Sequence, residues 1–100
     1  MLKYQNIKNA YLTGTYVTCN FVELAKLCPK LGRLNLYNAF VDVSKNEVNE
    51  ISKLIGPKLV QCDLTYCNMN FVKIISKHFI KIEEFVLGIC FINKIEFLTI

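Results

Sequence analysis

The chain has few residues that break or cross-link a polypeptide. Its 100 residues include only four glycines and two prolines, a balance that argues against a disordered chain. The single histidine, His78, cannot belong to a multi-histidine metal site. The five cysteines form no CxxC pair, and the sequence has no apolar leader stretch and no N-x-S/T glycosylation acceptor. These absences favour a reducing compartment, and we expect a cytoplasmic or nuclear protein.

A block of one charge and a long apolar run are also missing. Twelve Lys and Arg residues against eight acids give a formal net charge of +4, but the basic residues occur singly along the chain. Scattered basic residues give little support to nucleic-acid binding. The most apolar stretch, at 85–92, is much shorter than a membrane-spanning helix. We therefore expect neither a nucleic acid nor a membrane as partner.

A short pattern of apolar residues occurs three times in the sequence. It reads apolar, two free positions, apolar, one free position, apolar, two free positions and a small residue. Recurrence at this spacing is typical of a repeat protein, and the alternation in the middle predicts a short β-strand in each copy. The three copies consist of Leu31, Leu34, Leu36 and Ala39, of Leu59, Cys62, Leu64 and Cys67, and of Ile82, Phe85, Leu87 and Cys90.

A fourth, weaker copy opens the chain. Leu2, Gln5, Ile7 and Ala10 have the same spacing, although Gln5 breaks the apolar pattern. The sequence leaves open whether this copy forms a strand.

The segments between the predicted strands change to helical periodicity. Apolar residues recur every three or four positions at 20–28, 47–56 and 70–79, which predicts a helix of two or three turns in each segment. Pro29 and Pro57 follow the first two segments, at places where proline ends a helix and favours an extended chain.

Capping signals mark where these helices begin. Asn20 with Glu23, and Ser44 with Glu47, have the spacing of a capping box, in which each side chain satisfies a free N–H group of the first turn. Asn70 is the predicted cap of the third helix, without an acid three positions later.

Repetition of strand, loop, helix and return predicts stacked units. No single unit can bury its own apolar face, so each must pack against the next. The result is an α/β solenoid with a parallel sheet on one side and helices on the other, in a single domain over residues 1–100 with three to four repeats. The small closing residues Ala39, Cys67 and Cys90 are expected in a tight, buried corner.

These residues resemble the cysteine-containing class of leucine-rich repeat found in F-box/leucine-rich-repeat proteins. The class pattern C-x-x-L-x-x-L-x-L-x-x-C is visible as Cys28, Leu31, Leu34 and Leu36 with Ala39 in the last place, and the resemblance covers roughly residues 20–92. The chain departs from the pattern in its unit lengths of 28 and 23 and in Gly56 and Phe79, which stand where Cys28 does.

The resemblance implies both a fold and a role. The implied fold is a leucine-rich-repeat solenoid, a short horseshoe arc with the parallel sheet on the concave side and helices on the convex side. The implied role is the substrate-recognition part of an SCF-type ubiquitin ligase, whose core would bind through an F-box outside this chain, since the sequence shows no F-box helices. The alternative is a stand-alone scaffold or inhibitor of the same fold with no ligase attachment.

The free strand positions predict where a protein partner binds. They form columns that run from basic and aromatic at one end to acidic at the other, and Tyr and Arg often anchor protein interfaces. Arg33, Tyr37 and Asp63 are the strongest candidates, and solvated strand positions without a partner are the alternative. The predicted partner-binding residues are Arg33, Asn35, Tyr37, Gln61, Asp63, Thr65, Glu84 and Val86, with Gly88 in the third column and Tyr4, Asn6 and Lys8 added if the fourth copy is real.

Other chemistry has little support. We expect no enzyme, catalytic residue, cofactor or metal, because one histidine and these spacings supply no nucleophile with a base. In the repeat register Cys62 and Cys67 point into the core, while Cys19 has no core position. Lysines at 73, 77 and 81 are interpreted as one solvated helix face, with a phosphate-binding patch as the alternative.

The end of the sequence fits two structures. Residues 91–100 follow the third strand copy, where a helix is due, but their apolar residues also fit the strand pattern. No polar capping unit follows, so we expect the chain to be a fragment of a longer repeat array or to self-associate through this end.

Overall fold

A computed structural model describes residues 4–88, which form a mixed α/β fold with a parallel sheet and three helices. A short 3-10 turn, Gly56–Lys58, follows the second helix. In chain order the elements are β1 (Asn9–Tyr11), β2 (Tyr16–Val17), α1 (Asn20–Leu27), β3 (Arg33–Asn35), β4 (Phe40–Val41), α2 (Lys45–Ile55), β5 (Gln61–Asp63), α3 (Met69–Ser76) and β6 (Glu84–Val86).

The main sheet contains four parallel strands in the order β1-β3-β5-β6. Arg33 lies opposite Gln61, and Gln61 lies opposite Glu84. Backbone bonds continue past the strand ends, since the Asn38 N–H donates to the Thr65 carbonyl at 2.8 Å. The predicted arrangement of 33–37, 61–65 and 84–88, side by side and running in the same direction, is confirmed.

The core lies between this sheet and the helices. Leu34 and Cys62, at the middle of β3 and β5, are buried in one cluster with Phe71 and Ile75 of α3. Each fully buried apolar side chain of this size contributes about 1.5 to 3 kcal/mol. Helix α1 packs on α2 and α2 packs on α3, so the helices follow one another in the same order as β1, β3 and β5.

The predicted corner positions are buried as expected. Ala39 and Cys67 are both inaccessible, and the Cys67 thiol donates to the Leu36 carbonyl at 3.1 Å. Cys90, the third corner residue, lies outside the described residues, as do residues 91–100, whose conformation was left open.

Only one of the three predicted helix caps is correct. Ser44 and Glu47 form the predicted capping box at the start of α2. The N-cap of α1 is Cys19 rather than Asn20, and Asn68 rather than Asn70 precedes α3; neither true N-cap makes a side-chain capping bond. α1 begins one residue earlier than a side-chain cap at Asn20 requires, and α3 begins two residues earlier than a cap at Asn70 requires.

A fourth strand forms near the start of the chain, at Asn9–Tyr11, but not at the positions that the fourth copy predicts. Ala10 lies opposite Leu34, so Ile7, Ala10, Leu12 and Thr15 occupy the four template positions, in place of Leu2, Gln5, Ile7 and Ala10. The two alignments share Ile7 and Ala10, and only pairing with β3 distinguishes them. The residues that continue the exposed columns are therefore Asn9, Tyr11 and Thr13 instead of Tyr4, Asn6 and Lys8.

A second, two-stranded parallel sheet was not predicted from the sequence. β2 pairs with β4, with Val17 opposite Val41. The connection that follows β5, residues 64–68, is shorter than the connections at 12–19 and 36–44, and it enters α3 without a strand. As a result, the third unit contributes nothing to this small sheet.

Candidate functional site

The exposed face of the main sheet carries the predicted binding residues. We call this surface the sheet face; it surrounds a hollow of about 110 Å³. Six of the eight predicted residues line this hollow, so the structure brings them together. The lining consists of Tyr11, Arg33, Leu34, Asn35, Gln61, Asp63, Glu84 and Val86.

The first row across the sheet face contains one basic and one acidic residue; it consists of Asn9, Arg33, Gln61 and Glu84. Gln61 lies between Arg33 and Glu84, and its Nε2 donates to Glu84 Oε1 at 2.8 Å. Arg33 is exposed and takes part in no ion pair with another residue of 4–88. The basic-to-acidic order predicted for these positions therefore follows the strand order β3, β5, β6.

In the second row, Asn35 and Asp63 form hydrogen bonds to the backbone as well as contributing to the surface. Asn35 Oδ1 accepts the Tyr37 N–H at 2.9 Å and the Thr13 hydroxyl at 3.1 Å. Asp63 Oδ1 likewise accepts the Thr65 N–H at 2.9 Å. Such side-chain turns hold the chain where it leaves a strand. Each side chain is half-buried and thus both shapes the sheet edge and contributes to its surface.

The residues of the third row differ most in exposure. Tyr37 is exposed and packs edge-on against Tyr66, with ring centroids 5.5 Å apart. Thr65 is buried, and its Oγ1 accepts the Gly88 N–H at 3.1 Å. Thr65 therefore offers little surface to a partner, while Tyr37 offers an aromatic ring held by its neighbour.

Tyr11 is a surface residue that the sequence reasoning missed. It lies opposite Asn35, is 71% exposed and lines the hollow beside Arg33. The signal that identifies it is the alternative N-terminal register, in which Ile7, Ala10 and Leu12 fill the template. With Tyr37, it gives the sheet face two exposed tyrosines near its basic end.

Cys28, Cys62 and Cys67 are buried, and His78 packs against a neighbouring segment. Burial raises the pKa of the Cys62 thiol to about 12, with smaller contributions from Cys67 and Asp63. A thiol held protonated in this way is a poor nucleophile and a poor metal ligand. No group of three or more His, Cys, Asp or Glu residues within 4–88 is arranged to hold a metal ion. His78 lies against Gly56, and its backbone N–H donates to the Ile75 carbonyl at 3.1 Å.

None of the helices within 4–88 is long and apolar enough to cross a membrane.

Comparison of the chain with protein-family models, with curated proteins and with solved structures finds no match.

Proposed function

We propose that the chain is a protein-binding module, a leucine-rich-repeat solenoid of three to four repeats whose sheet face is the concave, partner-binding side. Strands β3, β5 and β6 pair in register at the positions that the repeat template aligns. The helices pack in the same sequential order. Both features support stacked units, each of which buries its apolar side against the next.

The observation that carries this proposal is the composition of the sheet face. Its hollow combines an exposed arginine without an ion pair to another described residue, an exposed tyrosine and two carboxylates. Tyr and Arg are enriched among the residues that dominate binding energy. An unpaired Arg33 beside Tyr11 suits an acidic or hydrogen-bonding group of a partner, and Glu84 suits a basic one.

The resemblance to F-box/leucine-rich-repeat proteins extends the proposal to substrate recognition in an SCF-type ubiquitin ligase. In that role the sheet face holds the protein to be ubiquitinated, and the ligase core binds elsewhere in the full product, in the cytoplasm or nucleus. Co-purification of ligase core subunits with the full-length product tests this part. A partner recovered without them favours a stand-alone scaffold or inhibitor.

Site-specific photo-crosslinking tests the binding surface directly. A photoreactive amino acid is placed at Tyr11 or Tyr37 on the sheet face, and at Lys53 on α2 as an exposed control. Crosslinks to the same partner from both tyrosine positions, but not from Lys53, support the proposal. Crosslinks from Lys53 alone contradict it.

Affinity measurements with the identified partner then determine how much single side chains contribute to binding. Arg33→Ala and Tyr37→Ala are expected to weaken binding by about tenfold or more if these residues are anchors. Asp63→Asn removes the charge while keeping the oxygen that accepts the Thr65 N–H. A partner whose affinity is unchanged in all three variants does not use the sheet face.

A further inference from the structure

The small sheet leaves one strand edge without a partner strand. β4 pairs with β2 on one side only, and no strand within residues 4–88 pairs with its other side. The Phe40 and Asp42 N–H groups donate to the carbonyls of Thr15 and Val17, at 2.9 and 2.8 Å, on the side where β2 lies. Because backbone groups alternate in direction along a strand, the N–H of Val41 points away from β2.

A groove runs along the edge of β4 that has no partner strand among the described residues. It consists of two adjoining hollows of about 370 and 400 Å³, both of which border on Val41 and Asn68. One end contains the exposed ring of Phe40, which is 60% accessible. None of the residues that line the hollow of the sheet face lines this groove. The apolar residues of the hollow of about 370 Å³ are Val41, Val43, Val48, Phe71 and Ile74.

The charged residues of the groove have one sign. Lys45 at the start of α2, and Lys73 and Lys77 on and after α3, line the hollow of about 370 Å³. Asn68 and Asn70 supply the rest of its polar lining, and no carboxylate lines either hollow within the described residues. Lys81, expected on the same helix face as Lys73 and Lys77, lies beyond the end of α3. Lys73 and Lys77 therefore lie at the margin of the groove, and the three lysines do not share one continuous helix face.

We propose that this groove is a second docking site, which binds an extended acidic segment of a partner protein as a third strand beside β4. Backbone bonds to the free side of β4 supply affinity, as in other cases of strand addition to a sheet edge. Alternate side chains of the segment are apolar and pack on Val43 and Ile74, and those between them are carboxylates facing the lysines. Charge complementarity selects acidic over basic segments.

The test uses the full 100-residue chain and two synthetic peptides. In one peptide glutamate alternates with valine, and in the other lysine alternates with valine. We expect only the glutamate peptide to bind, with an affinity that falls as salt is added. Lys45→Glu combined with Lys77→Glu should weaken this binding by about tenfold or more, whereas Lys53→Glu, an exposed change on α2 outside the groove, should alter it by less than about twofold.

Amide hydrogen exchange reports whether the peptide adds as a strand. The Val41 amide should become protected on binding, whereas the amides of Phe40 and Asp42 should be protected in the free chain as well, because they donate to the Thr15 and Val17 carbonyls. This pattern would hold even if the charge-reversed variant were unstable, since it is measured on the unaltered chain.

Four results would overturn the proposal. The first is equal binding of the two peptides, and the second is peptide binding that leaves the exchange of the Val41 amide unchanged. The third is contact between residues 89–100 and Val43 or Ile74 in the free chain, which would show that the groove holds its own chain. The fourth is protection of Val41 that rises with protein concentration alone, which would identify a second copy as the occupant.

Discussion

Asn35 and Asp63 lie opposite each other in neighbouring strands, and each accepts the N–H of the residue two positions later through a side-chain oxygen. The same turn is thus built twice, once by an amide and once by a carboxylate. What the two positions share is an acceptor oxygen, not a charge. This distinction separates the structural part of the second row from its role in binding.

Substitutions at Asp63 should separate these two roles. Asp63→Ala leaves the Thr65 N–H without its acceptor, and we expect the free energy of unfolding to fall by about 1 kcal/mol. Asp63→Asn keeps an acceptor oxygen, as Asn35 does, and should be close to neutral. Urea unfolding followed by circular dichroism measures both, and equal losses in the two variants would contradict this account.

The stabilising effect of the α2 capping box can be compared with the effect of Asn20, which resembles a cap in the sequence but is not the N-cap of α1. Ser44→Ala removes the hydroxyl that accepts the Glu47 N–H at 3.2 Å, with an expected loss of about 1 kcal/mol of stability. Asn20→Ala changes a residue that matches a cap in the sequence but lies inside α1. Its effect on thermal unfolding should be within about 0.5 kcal/mol. A larger loss for Asn20→Ala than for Ser44→Ala would mean that α1 is capped as the sequence suggests.

Two glycines should respond differently to an added methyl group. A Cβ at Gly56 would lie 2.6 Å from the Cβ of His78, so Gly56→Ala forces α2 and the segment after α3 apart. We expect a loss of about 1 to 3 kcal/mol from this overpacking. A Cβ at Gly32 would meet nothing nearer than a carbonyl at 3.8 Å, and Gly32→Ala should be neutral or slightly stabilising. Chemical denaturation of both variants makes the comparison, and similar midpoints would refute it.

The buried thiol of Cys62 should make stability depend on pH in the alkaline range. Its pKa is about 12 in the folded chain against 9.0 ordinarily. Above about pH 9 the unfolded chain loses this proton while the folded chain keeps it, so the unfolded state is favoured and stability falls as pH rises. The expected slope is about 1.4 kcal/mol per pH unit at most.

Cys62→Ala isolates this contribution from the other groups that titrate in the same range. Burial also raises the pKa of the Cys28 thiol, so the variant should keep some alkaline loss of stability. The difference between wild type and variant, measured by urea unfolding from about pH 8 to about pH 10.5, should shrink or reverse as pH rises. Parallel curves would show that the Cys62 thiol ionises equally easily in both states.

The central repeats illustrate what could be predicted from the chain. Leu34 and Cys62 were assigned to the core and Arg33, Gln61 and Glu84 to the exposed face, and the strand register agrees, because alternation along an extended chain is a local property. The exposed strand positions of the candidate site could be predicted in the same way. The burial of Thr65 could not be predicted, since it depends on contact with Gly88, a residue of the next strand copy.

Residues close together in the chain specify the mixed α/β class, the strand positions at 33–35, 61–63 and 84–86, and the capping box of α2. Contacts between distant segments specify the register of β1, the pairing of β2 with β4 and the groove beside β4. These depend on which distant backbone groups pair and on how far the short connection at 64–68 reaches. Local periodicity does not specify such long-range pairing, because two alignments that share Ile7 and Ala10 satisfy it almost equally well.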